Sequence, residues 1–317
     1  MVTVGAAFFE PGDLAQLVGS KGRRHTITLQ KGGTFGTHRG EVRHDQIIGS
    51  KPGSLIVGTK GIEFLALRPT LADATTVMPR GAAIVYPKDA AQIVMEGDIY
   101  PAARVLEAGV GSGALSCHLL RALGAGGQLT SVDLREDFAE VARANVHRLL
   151  GEQPNWRLLI GDLSQISAAE FESESFDRVV LDMLRPWQTL DEVARVIVPG
   201  GILTCYVATV PQLSRTIESL RASGKWAELR AWETLIRDWH VSDLAVRPEH
   251  RMMAHSGFLL TARRVLGAPT ANSKKITEIL EEDLAAWKEL PENADTSLEI
   301  SAKSLRKVIS RARGKNK

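Results

Sequence analysis

The chain has 317 residues with 39 Lys+Arg against 37 Asp+Glu, a formal charge of +2, and it is 44% hydrophobic and 24% charged. That is globular composition with enough length for a substantial core, so wholesale disorder is excluded. Cys117 and Cys205 are the only cysteines, too few for a disulfide framework or a Cys-rich zinc site. No run of about 18 apolar residues marks a membrane span, and the N-terminus has no export signature. The expectation is a soluble, cytoplasmic protein. Near-neutral charge is silent on nucleic-acid partners.

In chain order, residues 1–78 read as a small all-β domain. HTITLQKGG, GTHRGEVRHDQIIGS and SLIVGTKGIEFLALRP are short apolar runs broken by Gly and Lys, as in a small barrel or sandwich. The segment is locally basic, with Lys21, Arg23, Arg24, Lys31, Arg39, Arg43, Lys51, Lys60 and Arg68 set against six acids. Residues 79–266 alternate apolar runs with helical stretches, the pattern of an α/β domain on a mostly parallel sheet. Strands are predicted at 103–109, 128–134, 156–162, 176–182 and 201–208, and helices at about 113–123, 136–150, 188–198 and 211–223. VSDLAVRP and SGFLLTARRV read as a closing antiparallel pair. Residues 267–317 read as a mostly flexible tail. Its end carries Lys303, Arg306, Lys307, Arg311, Arg313, Lys315 and Lys317 and no acid, which fits either RNA capture or a solvated extension.

The strongest local signal is Glu107-Ala-Gly109-Val-Gly111-Ser112-Gly113 between a strand and a helix. Glycines there let backbone approach a ligand at the C-terminal edge of a sheet. Dinucleotide sites use G-x-G-x-x-G; here the spacing is G-x-G-x-G with an acid two positions before it. An anionic pyrophosphate is repelled by Glu107, whereas S-adenosylmethionine, with its sulfonium and ammonium, is not. Glu107 capping a neighbouring loop is the plainer alternative. Asp133 ends the second strand, where a carboxylate can accept ribose hydroxyls. Asp162 ends the third, placed for an adenine amino group, and Asp182 ends the fourth in DMLRPW. Each alone is an ordinary turn or cap residue; together they mark one cleft of a methyl-donor site. His250 and His255 lack metal-ligand spacing, and no metal is expected.

These residues also carry a family resemblance. KGRRH (21–25), THRGEVRHDQIIG (37–49), MPRGAAIVYPKDAAQIV (78–94), VLEAGVGSGAL (105–115), DMLRPW (182–187) and RPEHRMMAHSGFL (247–259) closely resemble the tRNA (adenine-58, N1) methyltransferases in their single-gene bacterial and archaeal form, over roughly residues 10–264. The resemblance implies a Rossmann-like class I methyltransferase domain after a small β domain, usually assembled as a homotetramer. It implies methylation of N1 of adenine 58 in the T-loop of tRNA with S-adenosylmethionine. Carried over by position, Ser112, Gly113, Ala114 and Leu115, beside Gly109 and Gly111, line the methionine end; Asp133, with Phe138 nearby, holds the ribose and Asp162 the adenine. Asp182 lies closest to chemistry, and Tyr86 meets the base or the cofactor's entrance. Asp133 stands where the family usually has Glu. The tail has no counterpart.

Adenine N1 lies on the Watson–Crick edge, so the base must leave its stack, and Tyr86 and Trp187 are candidate platforms. Lys21, Arg23, Arg24, His25, Arg39 and Arg43, with Arg185, Arg247 and Arg251 at the rim, are candidates for phosphate contact. Competing readings are a methyltransferase acting on protein carboxylates or small molecules, a non-catalytic tRNA-binding protein, and an NAD-dependent oxidoreductase. The loop spacing and Glu107 disfavour the last of these.

Overall fold

The computed structural model describes residues 7–267, apart from Lys21, Ala82, Asp243 and Met253. The expected tail and its basic end, like Lys21, lie outside the described residues. In the first part of the chain, Leu14–Gly19 (β1), Arg24–Thr28 (β2), Thr34–Thr37 (β3), Gly40–Arg43 (β4), Ser54–Val57 (β5) and Glu63–Leu67 (β6) are short strands separated by glycine turns. They build an antiparallel sheet ordered β2-β1-β6-β5 and a separate β3–β4 hairpin. Alternation along β1 and β6 sends Ala15, Leu17, Phe64 and Ala66 into one core with Phe9, Leu29, Val42 and Ile47. The barrel or sandwich expectation thus takes the form of an open sheet and a hairpin sharing one core.

Leu71–Val77 (α1) follows, opened by a capping box in which Thr70 Oγ1 accepts the Asp73 amide and Asp73 accepts the Thr70 amide, both at 3.1 Å. Pro87–Glu96 (α2) starts with proline at its first position, where a missing N–H costs nothing. Beyond it come Arg104–Ala108 (β7), Ala114–Leu123 (α3), Gln128–Asp133 (β8), Glu136–Leu150 (α4), Trp156–Ile160 (β9), Leu163–Glu170 (α5), Phe176–Leu181 (β10), Leu190–Val196 (α6), Ile197–Val207 (β11), Val210–Ala222 (α7), Trp226–Trp232 (β12), Trp239–Ser242 (β13), Ala245–Pro248 (β14) and Phe258–Arg264 (β15). Acids in the first turn of α4 and His147 and Arg148 in its last complement the helix dipole.

Seven of these strands form one sheet, ordered β12-β15-β11-β10-β7-β8-β9. Strands β7 to β11 are mutually parallel, and β15 enters antiparallel between β11 and β12. Unbroken apolar runs such as Val179–Leu181 need cover on both faces, because a strand's side chains alternate sides. Two cores provide it. Val105 and Val180 pack with Leu71, Ile93, Leu119 and Leu149 on one face. Leu106, Val179 and Leu181 pack with Leu163, Val193 and Leu220 on the other. Successive strands run from β7 outward in one direction through β8 and β9, and in the other through β10 and β11. The carboxyl ends of β7 and β10 therefore flank a topological switch point, where open α/β sheets bind ligands.

Two expectations are corrected, and one strand was not expected. The helix expected at 188–198 is shorter, because Pro186–Gln188 forms a 3-10 turn and Ile197 already pairs with Phe176 as strand. VSDLAVRP does not pair with SGFLLTARRV. Residues 245–248 fold back on Trp239–Ser242 as their own hairpin, and β15 pairs with β11 and β12 instead. Strand β12 (WAELRAW) is an edge strand with Glu228 and Arg230 exposed, and this polar content breaks the apolar run that marks the interior strands.

Candidate active site

The glycine loop is shaped by contact with the neighbouring strand ends. Gly109 has φ +87°, and a Cβ there would lie 1.8 Å from the Asp182 carbonyl oxygen, so only glycine lets β7 and β10 close at the switch point. Its amide donates to the Val132 carbonyl at 3.0 Å. Gly113, at φ +80°, precedes α3, and a Cβ there would press on Ala142 at 3.2 Å. At Gly111 a Cβ meets no described atom within 4 Å, so this face of the loop is open to a ligand.

Asp133 clamps the loop from the end of β8. Its Oδ2 accepts the amides of Val110 and Gly111, each at 2.9 Å, and its Oδ1 accepts the Arg135 amide at 3.0 Å. The short aspartate side chain thus has most of its acceptor capacity engaged by backbone. Asn145 of α4 ties the loop from the other side, donating from Nδ2 to the carbonyls of Ser112 at 3.0 Å and Pro79 at 2.8 Å. The Ser112 side chain is buried, and its hydroxyl has no partner among the described residues. A buried orphan hydroxyl is costly unless something else completes it.

Glu107 lies within β7, wholly buried beneath the loop. It accepts the hydroxyls of Ser116 at 2.8 Å and Ser131 at 2.6 Å. Burial raises its pKa to about 7; the two serine hydroxyls oppose this, and the charges of Asp182 and Asp133 add to it. Asp182 follows β10, half-buried, and its carboxylate makes no hydrogen bond among the described residues. Burial, then the charge of Asp133, push its pKa up to about 7. Asp162 is exposed and caps α5, with Oδ1 accepting the amides of Ser164 at 2.9 Å and Gln165 at 3.4 Å. The four acids therefore sit in different settings, one buried under the loop, one clamping it, one capping a helix and one free at the switch point.

Ala114 and Leu115 turn their side chains into the core, so what they can offer a ligand is backbone N–H at the start of α3. Phe138 is half-buried, with the Arg135 guanidinium 3.4 Å over its ring and Gly81 packed against it. Tyr86 is the N-cap residue of α2 and packs against the core. Trp187 is partly buried and packs against the core on the α6 face, with the Arg215 guanidinium 4.7 Å from its ring centroid, which favours packing over service as a base platform.

Tyr206 of β11 was not anticipated. It is 8% exposed, its hydroxyl donates to the Ser256 carbonyl at 2.6 Å, and burial, then Asp89, with smaller effects of Asp182 and Tyr86, raise its pKa. Gly257 accommodates it, since a Cβ there would lie 2.3 Å from the ring. No local pattern marks Tyr206, which reads as one more apolar residue in GILTCYVA. Lys88 and Asp89 of YPKD connect to Tyr206 through Ser256, whose hydroxyl bonds both of their side chains and whose carbonyl receives the Tyr206 hydroxyl.

Of the expected RNA-contacting cations, Arg23, Arg39, Arg185 and Arg247 are exposed. Arg24 is exposed but paired with Asp73 at 3.1 Å, and Arg43 with Asp45 at 3.4 Å. His25 stacks with Phe35 and Phe64 in the N-terminal sheet. His255 is engaged by Glu233 and the Ala208 carbonyl. Among the described residues no group of His, Cys, Asp and Glu has metal-holding geometry, and no helix is long and apolar enough to cross a membrane.

The chain is similar to known proteins along most of its length. A family model described as the tRNA methyltransferase complex GCD14 subunit matches residues 62–258, and a TrmI-like N-terminal model matches residues 8–56. The tRNA (adenine(58)-N(1))-methyltransferase TrmI of Thermus thermophilus is 34% identical over 254 residues, covering 80% of this chain and 97% of that protein. A SAM-dependent O-methyltransferase of Thermotoga maritima superposes with a TM-score of 0.78 at 29% identity, covering 85% of this chain and 99% of that one. The tRNA (m1A58) methyltransferase TrmI of Aquifex aeolicus superposes with a TM-score of 0.73 at 25% identity, covering 81% and 99%. A family model spanning most of the chain, joined to a close relative matched almost end to end, establishes that the chain belongs to the TrmI family of tRNA methyltransferases, on the fold of the SAM-dependent methyltransferases.

Proposed function

We propose that this protein methylates N1 of adenine 58 in the T-loop of tRNA, using S-adenosylmethionine. The observation that carries the reading is Asp182, a half-buried carboxylate without a hydrogen-bond partner among the described residues, at the switch point beside the glycine loop. The site suits a cationic cofactor with an amino-acid end. The orphan Ser112 hydroxyl, the open face at Gly111 and two carboxyls driven up to about 7 all gain from a polar, positively charged ligand. When bound, the cofactor supplies an electrophilic methyl group on a sulfonium. Gly109, Gly111, Ser112 and Gly113, with the α3 amides of Ala114 and Leu115, are assigned to its methionine end, and Glu107 supports them from below. Asp133, Phe138 and Asp162 are assigned to the nucleoside end. Asp133 has one acceptor position left for a ribose hydroxyl, and Asp162 has its second oxygen.

Adenine N1 carries a lone pair, so no proton need depart before attack. The protein's task is positioning, for which proximity alone supplies roughly 7–11 kcal/mol. Asp182 accepts the N6 hydrogen of the target base and stabilises the positive charge that develops on the ring. Tyr86 and Tyr206 wall the pocket that receives the extracted base. Arg23, Arg24 and Arg39 on the β segment 1–78, with Arg185, three residues after Asp182, and Arg247 of β14, supply phosphate contacts that orient the tRNA. Incubating the protein with labelled methyl donor and unmodified tRNA, then mapping the modified nucleotide, tests the reading. Label at adenine 58 supports it, and label confined to protein carboxyls or small molecules overturns it.

Cofactor affinity is expected to depend on pH. A cation beside Asp182 favours its ionised form, so binding releases a proton wherever that carboxyl is still protonated. Affinity therefore rises as pH approaches 7 from below and levels off above it. Below pH 7 it falls by up to about tenfold per unit for each coupled proton. Calorimetry in buffers of different ionisation enthalpy checks this, and absence of proton release at pH 6 contradicts it. For the ligand-free protein, carboxyls raised above their ordinary values cost stability as pH climbs, so folding is favoured most below about pH 4 and weakens through 7 as far as these two groups are concerned.

Assembly as a homotetramer is proposed on the family resemblance and on the β13–β14 hairpin. Leu235, Ile236, Trp239, Val241, Leu244 and Val246 are all exposed on it and its flank, a concentration of apolar side chains of the kind that marks interaction surfaces. Leu244→Glu with Val246→Glu is expected to lower the mass seen by light scattering to that of a smaller assembly; an unchanged mass counts against this hairpin as the interface. Buried free thiols at Cys117 and Cys205 fit a reducing, cytoplasmic setting.

A further inference from the structure

Outside the groups given roles above, a buried polar cluster lies at the start of α2. Asp89 is fully buried, and the Lys88 side chain is 7% exposed. Lys88 Nζ donates to Asp89 Oδ1 at 2.8 Å, to the Thr234 carbonyl at 2.7 Å and to the Ser256 hydroxyl. The ammonium's three protons thus go to three chain segments: α2, the stretch after β12 and the stretch before β15. Ser256 is the junction. Its hydroxyl proton goes to Asp89 Oδ2 at 2.6 Å, its hydroxyl oxygen accepts from Lys88, and its carbonyl accepts the Tyr206 hydroxyl at 2.6 Å. On the α2 side, the amides of Asp89 and Ala90 donate to the Tyr86 carbonyl, each at 2.9 Å. Gly257, next to Ser256, is the residue pressed against the Tyr206 ring.

We propose that Lys88, Asp89 and Ser256 are positioning residues that fix the spacing of Tyr86 and Tyr206 across the base pocket. The inference rests on the reading of the site as a base-accepting pocket. A buried ion pair is a poor source of net stability, because desolvating two charges offsets most of their attraction, and well-packed apolar replacements often do as well. What this pair supplies instead is geometry. It ties together one residue two positions from Tyr86 and another that receives the Tyr206 hydroxyl, although these lie in separate parts of the sequence. Tyr206 is also close enough to feel both Asp89 and Asp182, so a shift of the 255–257 segment, which holds its hydroxyl through the Ser256 carbonyl, moves it relative to the group at the centre of the chemistry.

The test uses the full-length protein and three sets of variants. Ser256→Ala removes the junction and leaves the ion pair intact; Ser256→Thr keeps the hydroxyl; Lys88→Met with Asp89→Leu removes both charges together, leaving none unpaired. Ser256→Ala is expected to lower kcat about tenfold, and the double variant more, since a displacement near 1 Å can cost on the order of 10²-fold. KM for tRNA and the cofactor Kd stay within about threefold in each, because phosphate and cofactor contacts are untouched. Ser256→Thr restores most of the rate.

A second readout does not depend on turnover. The chain has three tyrosines, Tyr86, Tyr100 and Tyr206, so 3-fluorotyrosine labelling yields three resonances, assignable by Tyr→Phe changes. In Ser256→Ala the Tyr86 and Tyr206 signals shift and the Tyr100 signal stays. A folded Ser256→Ala with kcat within twofold of wild type, or with unmoved Tyr86 and Tyr206 signals, overturns the proposal. Should wild-type protein methylate no tRNA, the functional reading fails on its own, and the fluorine signals still decide whether Ser256 couples the two tyrosines.

Discussion

Asp182→Ala is expected to reduce kcat/KM for tRNA methylation by about 10²–10³-fold, the usual effect of deleting one group that meets developing charge in a water-poor site. The variant should still fold. In the ligand-free protein Asp182 makes no side-chain hydrogen bond among the described residues, and its carboxyl is held up near 7 by burial and by Asp133. Removing such a group relieves a cost, so the melting temperature is expected to stay level or rise. Cofactor affinity should fall by about tenfold and lose the pH dependence that Asp182 supplies, while binding itself persists because the glycine loop and Asp133 are untouched. Asp182→Asn separates two roles. An amide preserves shape without charge, so a rate near that of alanine assigns the effect to charge, and a near-normal rate assigns it to orientation. Wild-type-like turnover in Asp182→Ala removes the residue from the mechanism.

The second large effect is expected at Gly109, and its signature is the opposite. Alanine there must adopt φ +87°, which costs roughly 1–2 kcal/mol for an L-residue. Its Cβ must also displace the Asp182 carbonyl, 1.8 Å away, and therefore the junction of β7 and β10. With a displaced strand end added to the dihedral cost, a loss of about 3 kcal/mol or more is expected, which for a chain of this size lowers the melting temperature by roughly 4–5 °C or more. Cofactor binding and activity are lost together, because the loop and Asp182 move as one. Gly111→Ala is the control. Its φ of +54° carries the dihedral cost alone, and its Cβ points into space free of described atoms. It should lose much less stability and a comparable share of cofactor affinity. Equal melting temperatures for the Gly109 and Gly111 variants contradict the assignment of the close approach.

Much of this site was legible along the chain. Gly109, Gly111 and Gly113 act through backbone conformation, a local property, and the acids at the ends of β8, β9 and β10 fall at strand ends that hydropathy alone locates. Other features were not legible. The distinction among Glu107, Asp133, Asp162 and Asp182 depends on what surrounds each carboxylate. Ser116 and Ser131 reach Glu107 from α3 and β8, backbone amides of the loop reach Asp133, and α5 claims Asp162. Trp187, a plausible base platform by its position after Asp182, is covered by Arg215 from 28 residues further on. Tyr206 gave no signal, because a tyrosine in a buried strand has the same local pattern whether it packs or serves.

Composition, glycine spacing and the order of apolar runs determined the class of this protein: a β segment, then an alternating α/β sheet with an acid-rich switch point. They determined it because those properties are local, set by residue type and by periodicities of two and 3.6. Tertiary structure alone decided which carboxyl remains free, which strands neighbour β15 and how Lys88 meets Ser256. Each of these depends on contacts between residues far apart in sequence, such as Lys88 and Ser256 or Gly109 and Asp182. The physical reason is that desolvation and hydrogen-bond partnership, which set a buried group's charge and availability, are properties of the surrounding volume rather than of the neighbouring residues in the chain.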